Sequence, residues 1–67
     1  MERIAETDLN GFTVTLFRGT GPDAGKFWVH LQAGNSPDEW RTLHAASAAW
    51  SEYVKWARMA TDMPDDV

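Results

Sequence analysis

The sequence predicts an α+β domain in which a three-stranded antiparallel β-meander packs against one long C-terminal α-helix (βββα). Three observations support this fold: an Asn10-Gly11 pair between two alternating segments, a third alternating segment after a glycine-rich connection, and a Ser36-Pro37 pair before a helical pattern. We expect a single domain, 1–67, with strands at about 3–9, 12–18 and 26–33, a helix at about 37–61 and a frayed tail at 62–67.

The first two strands should form a tight hairpin. Asn10 and Gly11 are the residues that most readily adopt positive φ, as a type I′ turn requires. If Leu9 pairs with Phe12, the register of both faces follows, because cross-strand partners alternate between the two sides of a sheet. The predicted pairs are Thr7/Val14, Ala5/Leu16 and Arg3/Arg18 on one face and Asp8/Thr13, Glu6/Thr15 and Ile4/Phe17 on the other.

The third strand follows the loop GTGPDAG at 19–25, whose glycines and proline favour a turn. In 26–33, apolar residues at odd positions alternate with Trp28, His30 and Gln32, which is the period of a strand with one core side. Matching the apolar sides places Val29 near Leu16 and Leu31 near Val14. On the outer face this register predicts a row of exposed apolar side chains that one helix cannot cover, formed by Ile4, Phe17 and Trp28. This row could pack under a chain terminus, form a dimer interface or contact a target.

The helix should begin after Ser36, since Ser36 can cap, Pro37 suits the first helical position and Glu39 suits the third. It should end near Thr61, before Pro64. On a helical wheel, with about 100° per residue, apolar side chains form a core stripe centred on Trp50. Trp56 lies on a second apolar strip about 120° away. The predicted stripe consists of Leu43, Ala46, Ser47, Trp50, Tyr53, Val54 and Ala57.

A helix at 37–61 would be longer than the sheet. Twenty-five residues span about 37 Å in a helix, whereas a strand of about seven residues spans roughly 23 Å. The last turns should therefore overhang, leaving Trp56 and Met59 partly in water, where they could contact a partner. The alternative is that Trp56 folds over the sheet edge or over the loop at 19–25.

Composition limits the functions that the chain can have. With 67 residues and no cysteine, it can build one small core without disulfides or thiolate metal sites. The charged N-terminal region has no unbroken apolar run, so we expect neither a signal peptide nor a membrane interaction, and a cytoplasmic location. A net charge of −4 repels nucleic acid on average, so we expect no direct nucleic-acid binding.

No catalytic or metal-binding pattern is present in the sequence. His30 and Glu6 should lie two strands apart, about 9 to 10 Å, which is too far for a direct acid/base pair. His44 has no second histidine at helical spacing, and the glycines at 19–21 lack the lysine of a phosphate-binding loop. We therefore expect a protein that is not an enzyme, with no cofactor and no metal.

The acidic and aromatic residues instead suggest a surface that binds another protein. Carboxylates on a small rigid domain can occupy the cationic groove of a nucleic-acid-binding protein, where they take the place of phosphates. Exposed aromatic rings would add apolar contact. The predicted partner-binding residues are Glu6, Asp8, Phe17, Asp23, Trp28, Asp38, Glu39, Trp56, Asp62, Asp65 and Asp66.

In its size, acidity and lack of catalytic residues, the whole chain resembles the small bacteriophage anti-defence proteins, among them anti-CRISPR inhibitors. The resemblance implies a non-catalytic inhibitor that blocks a nucleic-acid-binding complex by occupying its cationic DNA site, acting in the host cytoplasm if the chain is phage-encoded. Those proteins share no common motif, so the resemblance assigns no binding residue.

Two other functions remain open at the level of sequence. A homodimer or an adaptor subunit of an assembly could be joined through Trp28 or Trp56, so the chain could be a monomer or a homodimer. A βββα nucleic-acid reader would place its sheet in the major groove, but only Arg3, Arg18 and Lys26, near one end of the sheet, could contact phosphates.

Overall fold

The computed structural model describes residues 1–61. A four-stranded antiparallel sheet in the order β1-β2-β3-β4 is followed by one C-terminal helix that packs on one face of the sheet. The predicted α+β class is confirmed, but the sheet has one more strand than predicted. The elements are β1 (Glu2–Leu9), β2 (Phe12–Arg18), β3 (Phe27–Ala33), β4 (Glu39–Leu43) and α1 (Ala46–Thr61). The tail predicted at 62–67 lies outside the described residues.

The β1–β2 hairpin has the predicted turn. Asn10 has φ 55° and Gly11 has φ 79°, the left-handed values that a type I′ turn needs. The predicted pairs from Leu9/Phe12 back to Ala5/Leu16 are confirmed. The pairs predicted nearer the chain start are wrong, because the register shifts at Ile4: Arg3 pairs with Phe17 and Glu2 with Arg18. Ile4 therefore packs against the core instead of extending the outer apolar row.

The β2–β3 register is also confirmed, with Leu16 opposite Val29 and Val14 opposite Leu31. A short 3-10 helix at Gly21–Asp23 lies between these strands. The amide of Gly19 donates to the carbonyl oxygen of Lys26 at 2.8 Å, which closes the loop. Gly19 approaches this loop so closely that a Cβ atom there would overlap the carbonyl oxygen of Asp23.

The predicted helix start at 37 is wrong, because Glu39–Leu43 forms β4. Trp40 pairs with His30 and Leu43 with Phe27. Gly34 at φ 52° and a hydrogen bond from the Ser36 amide to the Ala33 carbonyl (2.9 Å) form the preceding turn. An N-cap can stabilise only the first turn of a helix, whereas pairing along five residues satisfies backbone groups and adds a strand to the sheet. Tertiary pairing therefore overrides the local preference.

The later helix start changes the length comparison. The 16 residues of α1 span about 24 Å, close to the length of the longer strands. The helix is therefore not longer than the sheet, although Met59 in its last turns is exposed, as predicted, and Trp56 is partly buried. No helix within residues 1–61 has the length and apolarity needed to cross a membrane.

The core lies between α1 and the two central strands. Val14, Leu16 and Val29 are fully buried and pack with Phe27, Ala49 and Tyr53. The phenol of Tyr53 shares a hydrogen bond of 2.6 Å with the hydroxyl of Thr7, which ties the helix to β1. The side-chain Nδ2 of Asn10 donates to the Ala60 carbonyl oxygen at 2.9 Å, so the first turn caps the last described turn of α1.

The helix is rotated from the predicted orientation. Its buried positions are Ala49, Tyr53 and Ala60, with Trp56 partly buried, and Trp50 is 43% exposed. Trp50 is therefore not the centre of the core. A helical wheel fixes the angles between side chains but not which of two apolar strips faces the sheet. Ala49 is fully buried in the core, and Tyr53 is held there by its hydrogen bond to Thr7.

Candidate protein-binding surface

The outer sheet face, opposite α1, carries a group of aromatic side chains contributed by three strands. Phe17 on β2 lies opposite Trp28 on β3, and His30 on β3 lies opposite Trp40 on β4. Alternation along each strand points all four side chains away from the helix. We call these residues, Phe17, Trp28, His30 and Trp40, the aromatic outer face.

Trp40 is the most exposed member of this face and is held by two ring contacts. Its ring centroid lies 4.1 Å from that of His30, with 26° between the planes, and 5.8 Å from that of Phe17, with 25°. The residue is nevertheless 52% exposed. A large apolar ring is thus presented to solvent in a fixed orientation.

His30 connects the aromatic rings to an acidic group. Its side chain is only 14% exposed, and its Nε2 lies 3.1 Å from an Asp38 carboxylate oxygen. The distance fits an ion pair when the imidazole is protonated, but the alignment is not that of a hydrogen bond, and the buried Nε2 has no hydrogen-bond partner within residues 1–61. Asp38 therefore lies at the polar edge of the aromatic outer face.

A polar group borders the same face on the side of β1. Thr15 is buried, and its hydroxyl lies 3.3 Å from a Glu6 carboxylate oxygen, to which it donates. The guanidinium of Arg3 lies 3.6 Å from the other Glu6 oxygen. Asp8, opposite Thr13, belongs to the same side of the sheet. Acidic groups thus flank the aromatic outer face at both lateral edges.

The predicted acidic residues do not form one continuous surface. Glu6, Asp8 and Asp38 border the aromatic outer face, whereas Asp23 lies in the β2–β3 loop, 3.6 Å from the Lys26 ammonium. Glu39 points to the helix side, because it lies opposite Leu31. The predictions for Asp62, Asp65 and Asp66 fall outside the described residues.

The structure brings Phe17 and Trp28 together, as the sequence predicted, but Arg3 takes the place of Ile4 opposite Phe17, and Trp40 and His30 complete the aromatic group. Sequence reasoning missed Trp40 because its segment was assigned to the helix. The alternation of Trp40 and Thr42 with Glu39, Arg41 and Leu43, just after the Gly34-Asn35 pair, is the pattern that could have identified a strand.

Trp56 lies elsewhere, on the helix side of the sheet. Its indole nitrogen donates to a Glu52 carboxylate oxygen at 2.7 Å, and the same oxygen accepts a bond of 3.2 Å from Arg41. Glu52 therefore links the indole of Trp56 to Arg41 on β4, and the Trp56 side chain is partly buried. It lines a groove of about 200 Å³ together with Phe12, Leu31, Glu39, Met59 and Ala60.

The outer sheet face has the features of a contact surface and not those of a reactive site. Within residues 1–61, no three His, Asp or Glu side chains converge as they would around a metal ion. The surface consists of preoriented rings with carboxylates at their edges, an arrangement that suits stacking, apolar contact and salt bridges with another macromolecule.

Comparisons of the chain with protein-family models, with curated proteins and with solved structures found no match.

Proposed function

We propose that the protein is a non-catalytic binding domain, acting as an inhibitor or an adaptor, and that its aromatic outer face contacts another protein. The observation that supports this function best is Trp40, which is about half exposed although two rings hold it in place. Tryptophan is among the residues that contribute most to protein interfaces. A ring that is already oriented loses little conformational entropy on binding.

A protein partner is favoured over nucleic acid because the basic side chains that could contact phosphates already form ion pairs. Stacking of bases on exposed aromatics also needs cations that neutralise phosphates. The three cations that a nucleic-acid reader would use are each engaged by an acid. Arg3 contacts Glu6, Arg18 contacts Glu2, and Lys26 contacts Asp23.

The finer proposal concerns the target and follows the resemblance to anti-defence inhibitors. The partner surface would be the cationic nucleic-acid site of a DNA- or RNA-binding complex in the cytoplasm, which the protein blocks. Support comes from Asp8 and Asp38, which border the aromatic outer face, form no ion pair with a Lys or Arg within residues 1–61, and would meet basic residues of such a site. Charge complementarity of this kind raises association rates and makes binding dependent on salt.

The test is a comparison of two tryptophan variants. The wild-type protein, Trp40→Ala and Trp50→Ala are immobilised and exposed to the same cell lysate, and captured proteins are identified by mass spectrometry. Both tryptophans are exposed, but Trp50 lies on α1, on the other side of the molecule. We expect capture to be retained by Trp50→Ala and affinity to fall roughly 30-fold in Trp40→Ala, as for loss of an interface residue worth about 2 kcal/mol. Equal binding by Trp40→Ala, with its circular dichroism unchanged, would overturn the proposal.

The finer proposal has its own test with the captured partner. Duplex DNA or RNA should displace the protein from the partner in competition, and binding should weaken as salt is raised. Simultaneous binding of nucleic acid and protein would remove the inhibitor function while leaving the binding function intact.

A further inference from the structure

The outward side of α1 carries a second exposed apolar surface. Trp50 is 43% and Val54 40% exposed, and they lie one turn apart. The Trp50 ring meets that of Tyr53 edge to face at 5.8 Å, which orients the indole. An open depression of about 490 Å³ lies along this side. We call its lining residues, Trp50, Ser51, Val54, Lys55 and Arg58, the helix outer face.

The charged residues of the helix outer face are opposite in sign to the carboxylates of Asp8 and Asp38 that border the aromatic outer face. Within residues 1–61, Lys55 and Arg58 are the Lys and Arg side chains that make no ion pair. On the sheet side, Asp8 likewise has no cation within salt-bridge distance among the described residues, and Asp38 has only the imidazole of His30. Among the described residues, two cations without an ion pair thus accompany Trp50, whereas the carboxylates of Asp8 and Asp38 border the aromatic outer face.

We propose that the helix outer face of one copy of this chain docks on the aromatic outer face of a second copy. In this arrangement Lys55 and Arg58 meet the acidic edges of the sheet and can also lie over the indole of Trp40, a favourable cation–π contact. Trp50 and Val54 meet the aromatic rings. Each copy would thus present two different interfaces, one on each side of the molecule.

Symmetric pairing is disfavoured by the same charges. Two helix outer faces would bring Lys55 and Arg58 against their own copies, and two aromatic outer faces would bring Asp8 and Asp38 against theirs. Contact between unlike faces instead brings Lys55 and Arg58 against Asp8 and Asp38. Such a heterologous contact leaves one face free at each end, so the copies form a ring or a growing chain and do not stop at a pair.

This inference stands without the proposed function, because it involves only this chain. The two would interact, since a partner protein on the aromatic outer face and a second copy compete for the same rings. Failure of self-association would therefore leave the proposed function intact, and failure of partner capture would leave self-association intact.

The experiment is sedimentation velocity over a wide concentration range at low salt, with two variants that each disable one face. Trp50→Ala removes the ring of the helix outer face, and Trp40→Ala removes the ring of the aromatic outer face. We expect the wild type to grow beyond dimers, and each variant alone to lose at least about tenfold in association constant. An equimolar mixture of the two variants should form a one-to-one dimer, because one intact face of each kind remains.

A charge variant keeps the test independent of any effect of tryptophan loss on folding. Lys55→Glu combined with Arg58→Glu should abolish growth, whereas Lys55→Arg combined with Arg58→Lys should preserve it. High salt should also dissolve the assembly. A wild type that remains monomeric at every concentration, a closed dimer, or a variant mixture that stays monomeric while the wild type assembles would each overturn the proposal.

Discussion

The indole of Trp40 stacks on the imidazole of His30, with ring centroids 4.1 Å apart, across the pair formed by β3 and the edge strand β4. This contact attaches a strand of only five residues to the sheet. It also places the most exposed ring of the outer face next to a histidine that approaches Asp38. One contact therefore serves both the stability of the sheet edge and the shape of the candidate binding surface.

The two exposed tryptophans should differ modestly in their effect on stability. Trp40→Ala should lower the free energy of unfolding by about 1 kcal/mol, because an aromatic pair contributes about 0.5 to 1.5 kcal/mol beyond burial. Trp50→Ala should lower it by less than about 1 kcal/mol, since its ring makes one edge contact. Urea titration followed by far-UV circular dichroism measures both values. Unfolding of Trp50→Ala would show that Trp50 belongs to the core after all.

Leu16→Ala should leave most molecules unfolded at room temperature. Leu16 is fully buried at the centre of the sheet, and truncation of such a side chain costs about 2 to 5 kcal/mol. A domain this small has little stability beyond that amount. Leu9→Ala is the matched control, because Leu9 is exposed, and it should stay folded in the same titration. A folded Leu16→Ala with wild-type stability would contradict the described core.

The hydrogen bond between Tyr53 and Thr7 should contribute about 1 kcal/mol to stability. Tyr53→Phe and Thr7→Val each remove one partner, and the remaining hydroxyl loses its hydrogen bond in a partly buried site. The double variant should therefore be less destabilised than the sum of the two single variants, because neither hydroxyl is then left behind. Chemical denaturation of the four proteins in this cycle gives the coupling energy. Additive effects would mean that the two groups do not interact.

Gly19→Ala should destabilise the β2–β3 connection by more than about 1 kcal/mol. A Cβ atom at this position would overlap the backbone carbonyl of Asp23, and backbone atoms cannot move aside as the end of a flexible side chain can. Thr20→Ala serves as the control, because Thr20 is exposed and adjacent. Thermal unfolding of both variants tests the difference. Equal melting temperatures would show that the loop has room for a side chain.

The elements that were predictable from sequence are those set by local chemistry. Asn10-Gly11 specified a turn, and the alternation of Phe27, Val29 and Leu31 specified a strand and its buried side. β4 was missed because Ser36, Pro37 and Glu39 satisfy the rules for a helix start, and this local preference was overridden by pairing with β3.

The candidate site was predictable only in part for the same reason. Phe17 and Trp28 follow from the register of two strands, whereas Trp40 reaches them only because β4 exists. The rotation of α1, which buries Tyr53 and exposes Trp50, depends on how closely Ala49 can approach the sheet. Such a choice between two apolar strips is decided by packing in three dimensions and not by periodicity.

The hydrogen bond from Asn10 to the carbonyl of Ala60 joins residues separated by fifty positions. Contacts of such long separation form slowly, since the chain between them must first be brought together. The β1–β2 hairpin, by contrast, is formed by residues that are close together in the sequence. The end of α1 can therefore acquire this cap only when the hairpin turn and the helix have been brought together.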